Sequence, residues 1–220
     1  MEAQRKKLIE RLVHEGYLKS AAAIRAFEDV PRNRFLPDKV RSSAYLDTPL
    51  PIGYRQTISA PHMVAMMSEA LDLHIGQRVL EVGAGSGYHA AIISEMVAPE
   101  HTNAPGHVYT LELVPELASF ARGNLQATGY GNRTSVIHGD GSIGYDAEAP
   151  YDRILVTAAA PKIPDALLAQ LKPGGVLLIP VGHRYSYQDL LKISKGTDGS
   201  IVRQSLGGVV FVPLRGENGW

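Results

Sequence analysis

Leu8, Ile9, Leu12 and Val13 recur at the spacing of one helical face beside Arg5, Lys6, Lys7 and Arg11. That pattern predicts an amphipathic helix at the start of the chain, with the basic residues on its solvated side. Ser20 stands where an N-cap would open a second helix through Phe27. The stretch 31–53 carries Pro31, Pro37, Pro49 and Pro51 and predicts mostly loop, with a short helix near Asp38–Ala44. Met63, Met67, Ala70 and Leu71 mark a third helix behind Ser59-Ala60-Pro61, with the methionines facing the core. From residue 78 the texture changes to strand–helix alternation. Strands are predicted at Arg78–Val82, His107–Leu113, Thr134–His138, Arg153–Thr157 and Gly175–Val181. Helices are predicted at Tyr88–Val97, from Pro115 to about Thr128, and at Pro164–Leu171. Strands separated by helices form βαβ units and a mainly parallel, doubly wound sheet. Two further β runs, Gln188–Lys195 and Ile201–Pro213, flank Gly196–Gly199 with no helix between them, a hairpin-like addition. The expectation is one α/β domain over 1–220: an N-terminal helical segment (1–75), a core (76–182) and a C-terminal β extension (183–220).

Composition narrows the function classes. Twenty-two basic and 22 acidic side chains cancel, which argues against nucleic acid as a partner, because duplex binding needs a basic face. The absence of cysteine removes disulfides, thiolate metal sites and a cysteine nucleophile. The eight histidines show no metal-ligand spacing, so no metal is expected. No apolar run approaches the ~20 residues of a membrane span, and the charged N-terminal residues precede no apolar stretch of the kind a signal peptide needs. A cytoplasmic, monomeric protein without nucleic-acid or membrane partners is the expectation.

The sharpest motif is Leu80-Glu81-Val82-Gly83-Ala84-Gly85-Ser86-Gly87-Tyr88. Glycines at Gly83, Gly85 and Gly87 follow an apolar strand and precede a helix, so a ligand can lie close against the backbone. A dinucleotide fingerprint would place its last glycine at 88, where this chain has Tyr88, so the loop is a poor pyrophosphate cradle. Glu112 ends the next strand, where a carboxylate can accept from both hydroxyls of a ribose. Asp140, followed by Gly141, comes after the third strand, where it can address an adenine. Glu81 can pair with an ammonium. An ammonium, a ribose diol and an adenine without phosphate describe S-adenosyl-L-methionine, with S-adenosyl-L-homocysteine as its product. The stretch from Gly76 to Gly182 resembles the Rossmann-like class I methyltransferases.

Two features bear on the methyl acceptor. Thr157-Ala158-Ala159-Ala160-Pro161 follows the fourth strand, leaving room for an extended chain but offering no amide clamp for a base. Gln56-Thr57-Ile58-Ser59-Ala60-Pro61 precedes the third helix, with Ser59 at the expected N-cap and Pro61 in the first turn. Capping alone would account for Ser59; a helix N-terminus is also a place for a substrate carboxylate.

This run resembles the signature of the protein-L-isoaspartate O-methyltransferases. The resemblance covers nearly the whole chain, through Leu50-Pro51-Ile52, Leu80–Gly87, Gly139-Asp140-Gly141, Tyr151–Ile154, Thr157–Pro161, Gln170–Gly175, Ile179–Gly182 and Val209–Leu214. It implies methylation of the free α-carboxylate of isoaspartyl residues in damaged proteins and peptides, opening a repair route through a methyl ester and a succinimide. It implies Ser59 as the active-site residue. Gln56, Thr57 and Ile58 would line the cofactor and peptide cleft, and Val209, Val210 and Val212 would help form the peptide groove. A carboxyl group with a pKa near ~3.5–4 is already ionised at neutral pH, so no general base is needed. Arg55 departs from the family by standing where many relatives have glycine, and 99–105 is read as an inserted surface loop. The competing readings are an NAD-type oxidoreductase, a non-catalytic binding module, and a methyltransferase acting on RNA or a small molecule.

Overall fold

The computed structural model describes residues 1–184 and 186–220. Helix α1 spans Glu2–His14 and buries Leu8, Ile9 and Leu12. Helix α2 (Ala21–Asp29) is opened by Ser20, whose hydroxyl accepts from the Ala23 N–H, as expected of an N-cap. The proline-rich stretch is more ordered than its composition predicts. It holds 3₁₀ turns at Arg32–Phe35 and Asp38–Ser43, then a two-stranded hairpin of β1 (Leu50–Gly53) and β2 (Gln56–Ile58). Tyr54 and Arg55 form the tip with φ of 51° and 59°. Left-handed backbone at both positions is what a two-residue hairpin loop requires, which explains why glycine would be comfortable at 55. Helix α3 (Pro61–Ala70) has Pro61 in its first turn and Ala60 as N-cap. Ser59 therefore lies one residue outside the cap, and the expectation that it caps this helix is corrected.

Strands β3 (Arg78–Val82), β4 (His107–Glu112), β5 (Thr134–His138), β6 (Tyr151–Val156) and β7 (Leu171–Gly182) lie parallel. Helices α4 (Tyr88–Val97), α5 (Pro115–Ala127) and α6 (Asp165–Gln170) connect them. Strands β8 (Gln188–Lys195) and β9 (Ile201–Val209) add an antiparallel hairpin, giving the order β5-β4-β3-β6-β7-β8-β9. Strand β7 begins before the Pro173-Gly174-Gly175 segment that reads as a turn, and β9 stops at Val209 rather than Pro213.

The register explains the two apolar layers. Leu80, Ile154 and Leu177 align across β3, β6 and β7 and face the α6 side, while Val79, Leu155 and Leu178 face α1–α4. Chain order reverses on either side of β3, with β4 on one flank and β6 on the other. In open α/β sheets a ligand crevice forms at such a switch point, outside the carboxyl ends of the strands.

Arg153 ties α3 to the sheet. It is 7% exposed, its Nε donates to the Leu71 carbonyl at 2.6 Å, and its Nη2 donates to that of Asp72 at 2.8 Å. Asp72 sits at φ 53°, left-handed backbone that aspartate tolerates better than most residues. Arg153→Ala is expected to lower the unfolding free energy by about 2–3 kcal/mol in urea denaturation, since charge-assisted bonds to buried carbonyls are lost. A loss under ~0.5 kcal/mol would mean the clamp behaves as a surface pair.

Candidate active site

The carboxyl ends of β3, β4 and β6 carry the groups singled out in the sequence. The Leu111 carbonyl accepts from the Gly83 and Ala84 N–H groups at 2.8 and 2.9 Å, folding the glycine loop over the end of β4. Gly83 has φ 104°, and a Cβ there would overlap the Thr157 hydroxyl. That hydroxyl donates to the Val82 and Gly83 carbonyls, so only glycine fits this turn. Gly87 has a different task. It opens α4 in the left-handed conformation, and a Cβ there would press on Leu125 at 3.0 Å, so it packs α4 on α5.

Glu112 is nearly buried and holds the loop. Its Oε2 accepts from the Gly85 N–H at 2.8 Å, and its Oε1 accepts from the Val114 N–H at 3.0 Å. Each oxygen keeps a lone pair, since a carboxylate offers about four acceptor sites. Glu81 is wholly buried, and the β3–β4 register pairs it with Thr110. Thr110 donates to Oε2 at 2.5 Å; Oε1 has no hydrogen-bond partner among the described residues. Burial pushes the Glu81 carboxyl up to about 8, against the Thr110 bond and helped by the charge of Glu112.

Three cavities open here. An outer cleft runs past Gln56, Thr57, Gly83, Gly85, Glu112 and Gly141 to Val212 and Arg215. An inner pocket adjoins it, sharing Thr57, Gly83, Gly85 and Thr157, and is walled by Ile58, Ser59, Glu81, Tyr88 and His89. A wide groove of about 1450 Å³ runs from Ser59, His62 and Met63 along Val209, Val210 and Val212. Thr57 and Thr157 border all three, and Ser59 borders both the inner pocket and the groove.

Most residues expected from the sequence are thus brought together. Asp140 is not among the residues walling these cavities. Its Oδ1 accepts from the Ser142 N–H, and its Oδ2 from the Glu217 N–H, so it fastens the C-terminal turn beside the cleft. Burial works against its charge, but the Glu217 and Ser142 donors outweigh that and hold the carboxyl below the usual range. Gly141, its neighbour, does wall the cleft. Thr157 was legible only as a small residue before the alanines; its threefold position follows from the β6 register. His89 gave no signal at all. It is buried, Ser68 shares a hydrogen bond with its Nε2, and burial pulls the ring down to about 3, so it stays neutral.

A crevice at the switch point of a mainly parallel sheet, with a glycine turn over the strand end and carboxylates beside it, is the arrangement of the class I, S-adenosylmethionine-dependent methyltransferases. The comparisons agree. Residues 3–219 match the family described as protein-L-isoaspartate(D-aspartate) O-methyltransferase. A protein-L-isoaspartate O-methyltransferase of Hyperthermus butylicus is 59% identical over 218 residues, covering 98% of this chain and 90% of its own. One from Methanopyrus kandleri is 55% identical, covering 98% of this chain and 93% of its own. The Plasmodium falciparum protein-L-isoaspartate O-methyltransferase, solved with S-adenosyl-L-homocysteine, superposes with a TM-score of 0.83 at 28% identity, over 96% of this chain and 98% of that one. The chain belongs to the protein-L-isoaspartate O-methyltransferase family.

Glu81 has a consequence for stability. Its folded pKa, about 8, lies above the ordinary value of 4.5. Its contribution is therefore fully present below about pH 4.5 and is lost as the pH rises through 8. Without cofactor, Glu81→Gln is expected to unfold at higher denaturant than the parent protein at pH 9, with the gain shrinking toward pH 5. Equal midpoints at both pH values would show that the buried acid costs nothing when ionised.

Proposed function

We propose that the three cavities divide the work of methylating the free α-carboxylate of L-isoaspartyl residues in damaged proteins and peptides. The unpartnered Glu81 Oε1 fits the ammonium of S-adenosylmethionine in the inner pocket. The spare lone pairs of Glu112 fit the ribose diol, and Gly141 would back the adenine. Gln56, Thr57 and Ile58 border the bound nucleoside and its methionine arm, against the bare backbone of Gly83 and Gly85. When bound, S-adenosylmethionine supplies a methyl group on a positively charged sulfur. Gly87 and Asp140 support this site from behind, one by packing and one by holding the C-terminal turn.

The peptide lies in the groove, along Val209, Val210 and Val212, with Thr57 and Ser59 at its inner end. Ser59 Oγ donates to the α-carboxylate and turns its second oxygen toward the methyl group. Because Ser59 does not cap α3, its hydroxyl is available for this. An oxygen lone pair forms the new O–CH₃ bond as the S–CH₃ bond breaks, and both charges vanish together. No proton moves, so the neutral His89 and the lack of a general base are consistent with the chemistry. Walls that replace water by fixed dipoles and hold the partners in line lower the barrier. The methyl ester is then open to attack by the neighbouring backbone nitrogen; methanol leaves, a succinimide forms, and hydrolysis returns part of it to normal aspartate. The working unit is taken to be a single chain in the cytoplasm, with neither nucleic acid nor a membrane as partner.

The observation that carries this reading is the meeting of groove and inner pocket at Ser59. Methyl-labelled cofactor should mark an isoaspartyl peptide and spare its aspartyl twin, with the label released by mild base as from an ester. Ser59→Ala should cut that labelling by tenfold or more while cofactor affinity stays within about twofold, losing one charge-assisted bond. Equal labelling of both peptides would refute the substrate, and undiminished turnover in the variant would refute the role of Ser59.

A further inference from the structure

Arg32 lies in the 3₁₀ turn at Arg32–Phe35 and is 1% exposed. Its Nε donates to the Ala44 carbonyl at 2.9 Å, and its Nη2 donates to the Ser59 carbonyl at 2.8 Å. The guanidinium rests over the Tyr88 ring, 5.0 Å from its centroid. It therefore touches two residues, Ser59 and Tyr88, that wall the inner pocket. Nη1 is buried without a partner, and none of the ion pairs among the described residues includes Arg32. Asp47, an acid that acts on it through space, is held instead by Arg11 at 2.7 Å and by His62. A fully buried cation lacking a carboxylate is unfavourable for folding, and an apolar side chain of similar volume would be cheaper. Two carbonyl clamps account for two of its nitrogens but not for the charge.

We infer that Arg32 is a positioning residue for the methyl acceptor: it fixes the Ser59 turn, and its unpaired charge beneath that turn is the counter-ion of the substrate carboxylate. The inference rests on the proposed substrate and sharpens its recognition. A carboxylate hydrogen-bonded to Ser59 Oγ would stand one residue's width from the guanidinium. Charges at such a separation, partly shielded, change affinity by roughly tenfold or more. The cation would thus select an ionised acceptor over a neutral one, which hydrogen bonding by Ser59 alone does far less well.

The test compares two peptides bound to the enzyme saturated with S-adenosyl-L-homocysteine: the isoaspartyl peptide, and the same peptide with its α-carboxyl converted to an uncharged amide. The parent enzyme is expected to favour the carboxylate by tenfold or more. Arg32→Met should reduce that preference to about threefold or less, and Arg32→Lys should retain most of it. Each variant's thermal midpoint is recorded. If Arg32→Met does not fold, Arg32→Gln, uncharged but still able to donate to a carbonyl, takes its place with the same expectation. A residue that merely clamps the chain would weaken both peptides alike and leave the preference unchanged; that result overturns the inference. If the parent enzyme does not distinguish the isoaspartyl peptide from its aspartyl twin, the proposed substrate fails instead.

Discussion

One buried oxygen constrains much of this molecule. Glu81 sits in β3, an interior strand of the sheet, wholly enclosed, with Oε2 satisfied by Thr110 and Oε1 satisfied by none of the described residues. An acid in that state costs stability, and in the free protein it relieves the cost by holding its proton to about pH 8. A cationic donor entering the inner pocket would supply the missing interaction and favour the ionised acid. The glycine loop, with its carbonyls pinned by Thr157 and its amides turned to Leu111 and Glu112, leaves the pocket open on that side. On the proposed reading, the sheet carries for the cofactor a residue that a stability-driven core would replace.

The acceptor side is built on a complementary imbalance. Ser59 stands just outside the cap of α3, so its hydroxyl is not spent on the helix, while its carbonyl is gripped by the buried Arg32. Glu81 walls the inner pocket directly, while Arg32 stands behind two of its walls, Ser59 and Tyr88. In the proposed reading each would meet the opposite charge that one of the two ligands brings. Methyl transfer consumes one charge of each sign, so the walls need only hold and orient.

Much of this was legible along the chain. The alternation of apolar strands and helices from residue 78 onward gave every core element within a few positions, because periodicity reports burial directly. That Glu81, Gly83, Gly85 and Glu112 lie together at the crevice was legible because a strand followed by glycines places neighbouring acids at or near strand ends. Prolines in 31–53 masked the β1–β2 hairpin, since Pro51 lies in a short edge pairing where its missing N–H costs little. Ser59 was placed one residue too late in its helix because Ser-x-Pro fits a cap equally well in either register. Arg32 and His89 carried no local signal, and Thr157 was legible only as a small residue before the alanines. Their places follow from contacts between segments distant in the chain, and Asp140 faces the C-terminal turn for the same reason.

The central claim is that Glu81 gives up its proton to receive a cationic ligand, and calorimetry reads this without any turnover. Titrating S-adenosyl-L-homocysteine into the enzyme at pH 6.5, in buffers of different ionisation enthalpy, counts the protons exchanged. Release of close to one proton is expected, because the free acid is protonated there while the ligand's own ammonium is already charged. A binding heat independent of the buffer would contradict the account.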